Sequence, residues 1–420
     1  MKKLQIWWPF WFSLTLSFGM WVGYSLKKKI PDSQGFFDRP RQTPVQEVFE
    51  LLKNYYVDPV HLDTLSDLAI QAMLEKLDPH TVYVPAEETQ EANEDLQGNF
   101  EGIGVEYSIL QDTVHVIRIF PDGPSAKAGL QSGDKFLTVE STRVAGTGIS
   151  NEQIKKLLRG ESGSQVQVTI DREGKSLTKS ITRGKIPKPA VDASFLIGDE
   201  IGFVHLNKFS QASHQELRSS LEALKTKGMK KLILDLRGNG GGLLEQAVSI
   251  ADEFLDDDRL VVYTEGLHTS RIDYSAQQPG LFETGELIVL IDEFSASAAE
   301  VLAGALQDWD RATLLGRRTF GKGLVQEVFD LTNGAQIRLT VARYFTPSGR
   351  NIQKPFLQDH QSYNEEIYER YHKANTSTED SLAAQGPAFK TLVKKRNVYG
   401  GGGIQPDIQM PRDSVRLSAA

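Results

Sequence analysis

The spacing of apolar positions divides the chain into regions of different period. Ile6 to Leu26 is an uncharged, mostly apolar run between Lys2-Lys3 and Lys27-Lys28-Lys29. As a helix, its length matches the roughly 30 Å of a bilayer core. Val22-Gly23-Tyr24-Ser25-Leu26 is a poor cleavage site, so the run predicts an uncleaved signal-anchor over residues 1–29. Trp7, Trp8 and Pro9 suit a membrane interface, and the balanced lysines leave the orientation open. Residues 30–44 read as a polar linker. From Val45 the spacing turns helical (Val48, Leu51, Leu52, Tyr55, then Leu65, Leu68, Met73), which predicts a small helical element over 45–97.

Between residues 98 and 186 the period becomes two. Val114–Ile119, Phe136–Val139 and Val166–Ile170 alternate as strands between glycine-rich turns, and Asn151–Leu158 fits one short helix. This is the pattern of a compact β module. Residues 187–356 alternate strand and helix. Lys231–Leu236, Leu287–Ile291 and Ala312–Leu315 read as buried strands. Helices are expected at Leu243–Leu255 and Ser297–Asp308. Such units imply right-handed crossovers and a largely parallel sheet. Residues 357–395 are polar and predict an exposed or partly disordered insertion, followed by a C-terminal segment over 396–420.

Composition narrows the functions. The chain has 420 residues, a net charge of -8 and no cysteine. Disulfides, thiol catalysis and cysteine-metal sites are excluded, and the acidic balance argues against nucleic acid as a partner. No metal-ligand spacing of the His-Glu-x-x-His kind occurs.

Two residues carry the candidate chemistry. Ser297 stands where a strand turns into a helix, so helix N–H groups can stabilise negative charge beside its hydroxyl. Read alone, it is equally a plain N-cap. Lys322 lies between Gly321 and Gly323 and ahead of Leu324-Val325. Desolvation there would fit it to act as a base, and the alternative is a solvated turn lysine. Gly240-Gly241-Gly242 follows a buried strand and can aim backbone N–H groups at a ligand, or can simply turn the chain. Gly316–Gly323 approaches a phosphate-binding loop, but Gly323 stands where that motif needs Ser or Thr. Ser176–Lys179 mimics a Ser-x-x-Lys motif within an alternating surface strand. No Gly-x-Ser-x-Gly elbow supports a histidine triad. His205 reads as a sheet residue and Asp308 as structural.

These motifs, in this order, resemble the C-terminal processing (tail-specific) serine peptidases. The resemblance runs from about Val45 to Asp407. It takes in Leu77–Tyr83, Gly98–Gly104, Pro121–Leu130, Leu157–Gly160, Asp235–Gly242, Ser295–Glu300 with Asp308, and Thr319–Gly323 with Gln326. It implies an α/β fold, with a crotonase/Clp protease-like ββα core, an inserted PDZ domain and a small helical N-terminal element. It implies Ser297 as nucleophile, Lys322 as base and Gln326 as the residue that positions the lysine. The backbones of Gly241 and Ala298 would form the oxyanion hole. In the PDZ module, Gly102, Ile103 and Gly104 would bind a terminal carboxylate beside a strand edge that accepts the peptide. Arg159 matches an arginine proposed to sense bound peptide. Ala299 and Gly240 depart from the family pattern without removing a catalytic group.

The reading that follows is a membrane-tethered serine endopeptidase that binds protein C-terminal tails. It needs no cofactor or metal. Its partners would be protein tails and the membrane, with room for an adaptor protein or a homo-oligomer. Its catalytic part would lie outside the cytoplasm, in a periplasm. Two rivals remain: a non-catalytic PDZ scaffold, which an acylating probe would not label, and an acyl-CoA enzyme, which acyl-CoA would stabilise thermally.

Overall fold

The computed structural model describes residues 7–27, 43–356, 360–373 and 386–411. The chain divides into two units, Met1–Leu68 and Ala69–Ala420. The first carries the helices Trp8–Lys27 and Pro44–Tyr55.

Trp8–Lys27 corrects the membrane expectation. Among the described residues no helix is long and apolar enough to cross a membrane. The run is uncharged and mostly apolar, but Ser13, Thr15, Ser17, Gly19, Gly23 and Ser25 interleave with its Leu and Phe residues. Its large residues include Trp8, Trp11, Trp21 and Tyr24, which favour interfaces over hydrocarbon. The helix also runs into Lys27. The single-pass anchor, and the inner-membrane localisation built on it, are therefore withdrawn. The predicted linker lies almost wholly outside the described residues.

In the second unit, a six-stranded sheet forms the core. Its order is Val191–Ile197, Ile201–Leu206, Lys231–Asp235, Glu286–Ile291, Thr313–Gly316 and Ile408–Gln409. The first pair is antiparallel and the remaining pairs are parallel. Helices Ser213–Thr226, Leu244–Asp252 and Ala298–Asp308 cross between its strands. Their apolar faces (Leu217, Leu221, Leu224; Ala247, Ile250; Leu302, Leu306) bury against Val204, Leu234, Val289 and Leu314. The helix Ala298–Asp308 is buried on every side, which explains its run of small residues. A second, antiparallel sheet pairs Gln336–Phe345 with Val82–Val84, Leu324–Asp330 and Leu260–Glu265.

The β module has its own core, built on Val114, Phe136, Val166, Val168 and Ile170 under the helix Asn151–Leu158. Its sheet runs Val105–Leu110, Thr113–Ile119, Lys135–Val139, Gln165–Arg172 and Lys175–Thr182. The pair Asn99–Gly102 and Gly184–Pro187 closes its base.

The expected polar insertion differs from its composition. Residues 360–373 form a helix, and Tyr363 and Ile367 on it are buried.

Candidate active site

Parallel strands end on the same side, so their C-terminal turns gather at one edge. Gly238–Gly242 follows the strand Lys231–Asp235, and residues 292–297 follow its neighbour Glu286–Ile291. The Ala296 N–H donates to the Asn239 carbonyl at 2.9 Å, joining the two turns. The Phe320 N–H donates to the Ser295 carbonyl at 3.0 Å, which brings in the Lys322 loop. Residues scattered over 240–322 of the sequence thus meet.

Ser297 is the N-cap residue of the buried helix, with φ 54° and ψ -116°. Positive φ in a non-glycine residue costs about 1–3 kcal/mol and persists only where surroundings impose it. Two contacts impose it. The Ser297 N–H donates to Glu300 Oε2 at 2.9 Å. The Tyr344 hydroxyl donates to the Ser297 carbonyl at 3.2 Å and also to the Lys322 carbonyl.

Glu300 is the residue that sequence reasoning passed over. It is fully buried. Its Oε2 accepts the backbone N–H groups of both Ser297 and Lys322, each at 2.9 Å. Its Oε1 accepts the Gly321 N–H at 2.7 Å and the Thr319 hydroxyl. One carboxylate therefore ties the backbone of the candidate nucleophile to that of the candidate base. Burial pushes its carboxyl up to about 7, against the opposing pull of these hydrogen bonds. A Glu three residues after an N-cap Ser is the capping-box spacing, the signal that could have found it.

Lys322 Nζ donates to Gln326 Oε1 at 2.8 Å. Desolvation holds the amine below its ordinary value, while the nearby charges of Asp78 and Glu300 pull it back up. Gln326 Nε2 in turn donates to the His80 carbonyl. That segment is fixed by buried Asp78, which accepts the His80 and Thr81 N–H groups and the Thr81 and Thr340 hydroxyls. The Leu77–Tyr83 motif thus braces the lysine from more than 200 residues away, a role that local spacing does not announce.

Gly241 abuts Ser297. With φ 96°, a Cβ on it would lie 2.8 Å from Ser297 Cβ and 2.9 Å from the Ala298 N. Its N–H donates to Asn239 Oδ1 at 2.8 Å. The Ala298 N–H, at the first helical position, has no acceptor among the described residues.

His205 and Asp308 stand apart from this group. A cleft of about 390 Å³ lined by His205, Asp235, Arg237, Asp292 and Arg317 holds neither Ser297 nor Lys322. Three of its polar side chains are paired: His205 with Asp192 at 2.6 Å, Arg237 with Asp235 at 2.6 Å, and Arg317 with Glu293 at 2.8 Å. Asp308 forms a fully buried pair with Arg350 at 2.6 Å.

In the β module, Gly104 has φ 71°, and the Ile103 and Gly104 carbonyls accept from Ser125 and Phe120. Val105–Leu110 is an edge strand. Gly102 packs against the backbone of Leu158 and Arg159. The Arg159 guanidinium lies 3.2 Å from buried Glu94 and 5.4 Å from the centre of the Phe100 ring. Glu94 also accepts the Glu101 N–H at 3.2 Å, beside the glycine turn.

Comparison with known proteins agrees with this organisation. Residues 200–362 match peptidase family S41, and residues 102–182 match a PDZ domain. The carboxy-terminal-processing protease of Bartonella bacilliformis is 35% identical over 313 residues, covering 73% of this chain and 71% of the relative. The probable CtpA-like serine protease of Staphylococcus saprophyticus is 30% identical over 364 residues, covering 86% and 73%. Among solved structures, the photosystem II D1 C-terminal processing protease is similar at 29% identity over 87% of each chain, with a TM-score of 0.44. The chain belongs to peptidase family S41 and carries a PDZ domain ahead of its peptidase core.

Proposed function

We propose that the chain is a serine endopeptidase that captures protein C-terminal tails on its PDZ domain and cleaves with a Ser297–Lys322 dyad. The observation that carries this reading is the Glu300 bridge, which holds the backbones of both residues in one frame. Lys322, whose amine burial shifts below its ordinary value, takes the proton from the Ser297 hydroxyl. The hydroxyl oxygen attacks the scissile carbonyl. The Ala298 N–H stabilises the oxyanion. Gly241 supplies a second donor once the oxyanion replaces Asn239 Oδ1 as the acceptor of its N–H. Lys322 returns the proton to the leaving amine, and water then releases the acyl-enzyme. The names of the relatives, a carboxy-terminal-processing protease among them, support a protein tail as substrate. Its terminal carboxylate would dock at Gly102, Ile103 and Gly104, with the tail added to the edge strand Val105–Leu110.

The test uses a protein bearing an apolar C-terminal tail and an acylating serine probe. Ser297→Ala and Lys322→Ala are expected to abolish cleavage and labelling while still binding the tail peptide. Cleavage that survives in Ser297→Ala would refute the mechanism.

A further inference from the structure

The helix His360–Lys373 grips the Lys322 loop from both sides. On the approach, the Arg370 guanidinium donates to the Arg318 carbonyl at 3.2 Å and the Thr319 carbonyl at 3.0 Å. On the exit, the Gly323 N–H donates to Gln353 Oε1 at 2.8 Å, and Gln353 Nε2 donates to the Tyr363 hydroxyl at 3.1 Å. Between them, the Lys354 N–H donates to the Gly321 carbonyl at 2.9 Å. Lys354 is itself locked to the helix. Its buried ammonium donates to the Tyr363 carbonyl and to Glu366 Oε2, each at 2.8 Å, and sits over the Phe320 and Tyr363 rings.

The same Tyr363 hydroxyl reaches the amine of Lys322 by a second route. It pairs with His80 Nε2 at 2.9 Å. The His80 carbonyl accepts from Gln326 Nε2, and Gln326 Oε1 accepts from Lys322 Nζ. One hydroxyl therefore anchors the backbone after Lys322 through Gln353, and its side chain through His80 and Gln326.

We propose that this helix is a clamp that sets the catalytic base, with Tyr363 as its positioning residue. The proposal rests on Lys322 being the base. Tyr363 acts only through Gln353 and His80. Its removal lets the lysine drift and admits water, with the substrate site and the PDZ domain untouched. A displacement of this kind costs up to about 100-fold in rate.

The test is steady-state cleavage of the tailed substrate by the full chain. Tyr363→Phe keeps the packed ring and deletes the hydroxyl. Its kcat is expected to fall by about tenfold, with KM and tail-peptide affinity within about twofold of wild type. The acid limb of kcat/KM is expected to move to higher pH, because re-solvation returns an amine toward its ordinary value. Tyr368→Phe, on the exposed side of the same helix, is expected to match wild type. Should Tyr363→Phe fail to fold, Gln353→Met breaks the same link to Gly323 and carries the same expectation.

An inactive Lys322→Ala beside a Tyr363→Phe of unaltered kcat and pH profile overturns the clamp alone. A fall in activity that follows a lowered unfolding midpoint, with an unmoved acid limb, overturns it too. A fully active Lys322→Ala overturns the base assignment and the clamp together.

Discussion

Replacing Glu300 by glutamine preserves shape and removes two acceptor positions. The carboxylate faces four donors: the N–H groups of Ser297, Gly321 and Lys322, and the Thr319 hydroxyl. An amide turned to satisfy Gly321 and Thr319 sets its NH2 group against the N–H groups of Ser297 and Lys322. Two buried donors left unsatisfied cost about 2–6 kcal/mol. A gain opposes this. The carboxyl is held at about 7 against an ordinary value of 4.5, so above pH 7 its ionised form carries a net cost of about 3 kcal/mol, burial outweighing its hydrogen bonds, that an amide lacks. The net change near pH 8 then lies between a gain of about 1 kcal/mol and a loss of about 3 kcal/mol, which a domain of ordinary stability survives. The activity is expected to fall further than the stability. The strain at Ser297, about 1–3 kcal/mol, is free to relax once its N–H is released. That corresponds to roughly 5- to 150-fold fewer molecules in the productive conformation.

Glu300→Gln is therefore expected to fold, to bind tail peptide normally, and to lose about 10- to 100-fold in kcat and in acylation by the probe. The pH dependence of unfolding gives a second readout. A raised folded pKa means the native state holds the proton between about 4.5 and 7. Its contribution to stability is full below 4.5 and is lost as pH rises through 7, and Glu300→Gln flattens that window. Measured kcat within twofold of wild type would show that the bridge does not hold Ser297 in its working conformation.

Three further expectations follow from the geometry. Gly241→Ala, with its Cβ 2.8 Å from Ser297 Cβ and φ at 96°, should lower the unfolding midpoint and abolish cleavage, whereas an alanine Cβ at Gly240 meets nothing within 4 Å and should cost far less; equal midpoints would contradict this. Asp308→Ala strands the buried Arg350 charge and should cost about 3–5 kcal/mol in denaturant unfolding, and a loss under about 1 kcal/mol would show the pair to be unimportant. The kcat/KM profile should rise through one ionisation below the free lysine value of about 10.4, because burial lowers the Lys322 pKa, and a limb at the free value would speak against a desolvated base.

Local pattern made much of the fold legible. The helix Asn151–Leu158 falls where its spacing placed it, and the strand Glu286–Ile291 extends the expected one by a single residue. Both are decided by apolar period and by flanking turn or cap residues, which act over a few positions. The helix expected over Ser297–Asp308 begins at Ala298, because Ser297 is its N-cap. Trp8–Lys27 departs from the membrane expectation because an uncharged helix interleaved with Ser, Thr and Gly is not apolar enough to span a bilayer.

The sequence alone determined the α/β core, a compact β module over residues 98–186, the glycine turns and Ser297 at a helix N-terminus. Each depends on residues near in the chain, through periodicity, turn chemistry and steric freedom. The tertiary structure alone decided what holds Ser297 and Lys322 in place. Glu300 reaches across 22 residues to Lys322, and the His80 carbonyl meets Gln326 across 246. Tyr363 lies in a segment whose polar composition pointed to solvent, yet it is buried beside His80 and Gln353. The strained backbone at Ser297 is likewise invisible in sequence, since serine is favoured at a helix N-cap whether or not its backbone is strained. Such contacts form only when the sheets bring distant turns to one edge, where burial strengthens each hydrogen bond and makes its loss costly.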